Sequence, residues 1–77
     1  DTIAAAQALL GSGHARLAMK QYTAAARDFL KVDILYGYEE LKPEALAMLV
    51  RCYKALGNDE KARKYRRELN TRYPDAE

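Results

Sequence analysis

Three features of the chain predict an all-α fold. Its 77 residues are rich in Ala, Leu, Lys, Arg and Glu, the strong helix formers. Apolar residues recur at three- and four-residue spacing in four segments, with turn and cap residues between them. The two halves also repeat each other at an offset of 37 residues: Ala8 answers Ala45, Leu9 Leu46, Ala18 Ala55, Ala25 Ala62, Val32 Leu69 and Tyr36 Tyr73. One helical hairpin cannot bury its apolar face alone, whereas two stacked hairpins share a seam. The expectation is one domain over 1–77, built of two stacked antiparallel helix–turn–helix hairpins, about 2–37 and about 43–76.

The first helix is predicted over Thr2 to Met19, with Ile3, Ala6, Leu9, Leu10, Gly13 and Leu17 at helical spacing. Ala4, Ala5, Ala6 and Ala8 make its start apolar nearly all round, which predicts burial on more than one side. Gly11 and Gly13 each weaken the helix by about 1 kcal/mol relative to Ala. Close approach of a neighbouring helix is the expected reason for them. Lys20 to Tyr22 read as a turn. The second helix is predicted over Thr23 to Tyr36, with Ala25, Ala26, Phe29, Leu30, Val32 and Leu35 wholly or partly inward. Gly37 suits its end, and Tyr38 to Lys42 form a polar connection.

The second hairpin is written more plainly. Pro43 suits the first turn of a helix that runs to Leu56. Leu46, Val50 and Tyr53 mark one apolar face; Ala45, Leu49, Cys52 and Leu56 mark another. Two such faces predict a helix sandwiched between neighbours. Gly57 can end it and Asn58 can cap the next, predicted from Asp59 to about Arg72. Ala62, Tyr65, Leu69 and Tyr73 form a narrow stripe on that last helix, and Pro74 stops it.

Composition bounds the rest. A chain this short buries only about 60% of its unfolded surface, so its stability depends on good packing or a partner. No run approaches the ~20 apolar residues that span a bilayer. The N-terminus lacks a basic region followed by an apolar core, so no signal peptide is read there. Beginning at Asp1 rather than Met, the chain is expected to be a processed protein or an excised fragment. One cysteine cannot form an internal disulfide, and a net charge of +2 does not by itself imply nucleic acid.

Both halves resemble the tetratricopeptide repeat, a helix–turn–helix unit of about 34 residues. In the second half the likeness rests on Leu46, Leu49, Tyr53, Gly57, Ala62 and Pro74; in the first, on Leu9, Gly13, Tyr22, Ala25, Phe29 and Val32. Departures are Val50 at a usually small position, Arg66 at an aromatic one and Leu69 in place of alanine. Ser12 and Arg16 likewise replace apolar and aromatic residues, so the first helix is expected to sit differently. The surplus of about three residues per repeat falls in Tyr36 to Lys42. Phe29, Val32 and Tyr36, then Pro43-Glu44-Ala45-Leu46, then Tyr73-Pro74, look like repeats in bacterial cell-envelope assembly proteins.

That resemblance implies a non-catalytic module that binds a protein or peptide in a concave groove. The groove positions would be Gln7, Leu10, His14 and Leu17 on the first helix, with Glu44, Met48, Arg51 and Lys54 on the third. Some family members clamp a terminal carboxylate with lysines and asparagines. Leu10, His14, Glu44 and Met48 stand in the corresponding places, which argues against that activity here. An alternative is an assembly module that packs a further repeat or a second copy on the first helix. Another is weak nucleic-acid binding through Lys61, Arg63, Lys64, Arg66 and Arg67, although Asp59, Glu60 and Glu68 offset that charge. The compartment stays open between cytoplasm and periplasm, with the resemblance favouring the cell envelope.

No catalytic chemistry is expected. His14 is the only histidine and has no second ligand a turn away, so no metal site is read. Cys52 lies on an apolar face and reads as a small buried hydrophobe. Glu39 and Glu40 read as solvated. Tyr22, Tyr53 and Tyr65 match packing positions of the repeat rather than a base-stacking platform. No phosphate loop, acid–base pair or cofactor motif occurs.

Overall fold

The computed structural model describes residues 2–75. Asp1 and the expected end of the second repeat at Ala76 lie outside them. Among the described residues the chain forms four α-helices and no strand: α1 (Ile3–Ala18), α2 (Tyr22–Leu30), α3 (Lys42–Ala55) and α4 (Asp59–Arg72). A wider helical turn, Lys31–Tyr36, extends α2. The predicted all-α fold and its four helices are borne out. Thr2 caps α1 by accepting from the Ala5 N–H at 3.1 Å, and Asn58 caps α4 by accepting from Lys61 N–H at 3.1 Å. Pro43 sits in the first turn of α3, as expected.

Helices adjacent in sequence pack together: α1 on α2, α2 on α3 and α3 on α4. The core includes Phe29, Val32, Leu46, Leu49, Cys52 and Leu69, all essentially without exposure. α3 buries Ala45, Leu46, Leu49, Val50, Cys52 and Tyr53, enough to cover two sides, and so lies between α2 and α4. Tyr53 and Tyr65 stack across α3 and α4, with ring centroids 5.7 Å apart and planes 8° from parallel.

Gly13 shows why α1 accepts a poor helix former. A Cβ there would lie 2.7 Å from two carbons of the Phe29 ring. The glycine costs about 1 kcal/mol of helix propensity. Burying a phenylalanine is worth about 1.5–3 kcal/mol, which outweighs it. Gly11 has no such reason, since nothing lies within 4 Å of the same position.

Several expectations are corrected. α2 is not regular to Tyr36. Gly37 N–H donates to the Val32 carbonyl at 3.1 Å, an i→i−5 bond that marks a π turn. Asp33, four residues after Phe29, is buried, whereas Leu35 lies about a third of a turn round from the Phe29 face and is 72% exposed rather than inward. Leu56 caps α3 with 44% exposure, because the chain has already left the α3–α4 contact. Ile3 is 36% exposed, and Ala4 and Ala8 are exposed too, so the start of α1 is covered on one side rather than several. Tyr22 is the first residue of α2 rather than part of the turn.

Candidate functional site

The expected groove is best described from α1 and α3 outward. His14 Nε2 lies 2.6 Å from Glu44 Oε2, a contact that ties the two helices across 30 residues of sequence. The imidazole edge also meets the Phe29 ring, with centroids 5.4 Å apart and planes at 81°. His14 thus touches Phe29 on one side and Glu44 on the other. Their side chains are 42% and 51% exposed, so the pair contributes under about 1 kcal/mol to stability. It links α1 and α3 at the surface.

Below it lies an open cleft of about 420 Å³, lined by His14, Leu17, Ala18, Tyr22 and Arg51. Leu17 is half-buried and Arg51 is exposed. The cleft thus offers an apolar side and one guanidinium. Met48 is half-buried on α3, and Gln7 is exposed on α1.

Two groove residues are corrected. Leu10 is only 6% exposed and belongs to the core, because its side of α1 packs inward. Lys54 faces away, lining a smaller depression of about 150 Å³ with Val50, Asp59, Ala62, Arg63 and Arg66 between α3 and α4. His14, Leu17 and Arg51 are brought together; Leu10 and Lys54 are not part of that cleft.

Two buried acids were not read from the sequence. Asp28 is 7% exposed, and its Oδ2 accepts from Ser12 Oγ at 2.8 Å and lies 3.4 Å from Arg16 Nε. Ser12 and Arg16, the residues that depart from the repeat pattern, are therefore the partners of a buried carboxylate. That coupling was the available signal: two polar substitutions on one helix and an aspartate inside the stripe of the next. Asp33 is 8% exposed, and its Oδ1 has no hydrogen-bond partner among the described residues. Burial pushes its carboxyl above the usual range and Glu68 adds to that, while Lys42 and Arg72 pull the other way. Nearby, Tyr73 Oη donates to Glu39 and Arg72 pairs with Glu68 at 3.3 Å.

The basic residues of α4 are partly committed to packing. Lys61 Nζ lies 5.2 Å from the Tyr53 ring centroid and Lys64 Nζ 5.1 Å from that of Tyr65. Cys52 is buried, and burial raises its thiol above the ordinary value, away from the reactive thiolate. Among the described residues no group of three or more His, Cys, Asp or Glu could hold a metal ion. No helix among them is long and apolar enough to cross a membrane. No family model, curated protein or solved structure matches the chain.

Proposed function

We propose that the chain is a non-catalytic interaction module of tetratricopeptide-like build, which receives a segment of a partner protein across α1 and α3. One observation carries this reading: the open cleft of about 420 Å³ between Leu17, Arg51 and Tyr22, walled by His14. An apolar side chain fits against Leu17, and a carboxylate of the same segment pairs with Arg51. The test is selection of peptides from a displayed library, followed by titration of the best binder. Leu17→Asp with Arg51→Glu should weaken binding tenfold or more. Lys64→Glu with Arg67→Glu should change it little. The opposite pattern overturns the reading and favours the basic face of α4, the nucleic-acid alternative.

A second reading is assembly through α1. Ala4, Ala8, Gly11, Ala15 and Ala18 are all exposed and recur at alternating four- and three-residue steps. Such a smooth seam permits close approach of another helix, from a further repeat or a second copy. Sedimentation at increasing concentration tests the second copy. A strict monomer throughout removes that form of assembly.

A further inference from the structure

A different surface lies on the outer side of α2 and its π turn. Ile34 and Leu35 are each 72% exposed, side by side in sequence, and with Leu30 they line a shallow depression of about 420 Å³. Arg27 and Lys31 complete its lining. Neither cation makes an ion pair among the described residues, and the acids of the same stretch, Asp28 and Asp33, are buried. The surface is thus an apolar floor with a purely cationic edge.

The backbone beneath it is unusual. Ile34 and Leu35 follow buried Val32 and Asp33 and lie on the side of the segment turned away from the core. Asp33, four residues after buried Phe29, faces the core with one carboxylate oxygen that has no hydrogen bond among the described residues. A buried acceptor left unpaired is destabilising. π turns concentrate at functional sites, and strain held at one place is a pointer to use. Here the turn carries two adjacent aliphatic side chains in water.

We propose that this surface docks an acidic amphipathic helix of a partner protein. An apolar side chain of that helix enters the depression between Leu30, Ile34 and Leu35, while flanking Asp or Glu residues meet Arg27 and Lys31. Charge complementarity selects this occupant. This surface is distinct from the cleft lined by His14, Leu17 and Arg51, so either site can fail without the other.

The probe is a synthetic helical peptide with Leu at i, i+3 and i+7 and Glu on both flanks, compared with a version in which Lys replaces Glu. The Glu peptide should shift the amide resonances of Leu30, Lys31, Ile34 and Leu35 and leave those around Leu17 and Arg51 unmoved. Raising the salt concentration should weaken it. Ile34→Ser with Leu35→Ser, both exposed positions, should lower affinity at least tenfold with an unchanged far-ultraviolet spectrum. Arg27→Glu with Lys31→Glu should do the same, and the Lys peptide should then bind that variant. Equal binding of the two peptides to the unaltered chain would overturn the proposal. So would shifts confined to the α1–α3 cleft, or concentration-dependent self-association lost in the serine variant. Capture by vesicles of equal phosphatidylglycerol and phosphatidylcholine, with no binding of the Glu peptide, would replace the partner helix with a membrane surface.

Discussion

Lys20 and Gly57 occupy the same place in the two hairpins, both in the left-handed conformation, with φ of 62° and 76°. Each follows the cap of its helix. In α1, Lys20 N–H donates to Leu17 O and Gln21 N–H to Arg16 O, at 2.9 and 2.8 Å. In α3, Gly57 N–H donates to Lys54 O and Asn58 N–H to Tyr53 O, at 3.0 and 2.8 Å. The same pair of bonds satisfies the orphan carbonyls at both ends. Only the residue type differs, and a side chain in this region costs about 1–2 kcal/mol.

Lys20→Gly should therefore stabilise the domain by about 1 kcal/mol, less the entropy that the glycine adds to the unfolded chain. Gly57→Lys should destabilise it by a similar amount. Denaturant titration of both variants checks the pair. Equal midpoints would mean that the surrounding chain absorbs the strain.

The two glycines of α1 should respond in opposite directions. Gly11→Ala meets open space and should stabilise by up to about 1 kcal/mol. Gly13→Ala would set its Cβ 2.7 Å from the buried Phe29 ring. Overpacking of that kind costs about 1–3 kcal/mol, more than the propensity gained. Thermal midpoints of the two variants should lie on either side of the unaltered chain.

Asp33 predicts a pH dependence. Its carboxyl titrates above the ordinary value of 3.8 in the folded state, chiefly through burial and then through Glu68. The folded chain thus holds this proton more tightly than the unfolded chain does. The associated stability is fully present below the unfolded value and is lost as pH rises through the folded one. Asp33→Asn removes this titration. Its stability relative to the unaltered chain should rise with pH from 3 upward and level off once the folded carboxyl is ionised. Melting curves of both proteins across that range test it; parallel curves would mean that Asp33 is solvated.

Ala62→Glu should unfold the domain or nearly so. Ala62 is 4% exposed in α4, which packs on α3. An unpaired carboxylate there costs several kcal/mol, in a domain whose whole stability is about 5–15 kcal/mol at most. An unchanged melting midpoint would place Ala62 outside the core.

The sequence by itself determined the four helices, most of their ends and much of the core. Periodicity and caps are local properties of the chain, and Phe29, Leu46, Leu49, Ala62 and Leu69 fall where their spacing puts them. The tertiary structure decided what each face meets. Leu10 and Leu17 lie two turns apart on the same helix, yet one is core and the other lines the cleft. The distance and rotation of neighbouring helices separate them, and spacing along one helix contains neither. The same holds for Arg51, which joins His14 at the cleft, while Lys54 lines a depression on the α4 side. Asp28 is buried because Ser12 and Arg16 reach it from another helix. Leu35 is exposed because the neighbouring helices cover only the Phe29 and Val32 side of its segment. Both outcomes depend on what the packed helices bring to each side chain, and those partners are distant in sequence until the helices pack.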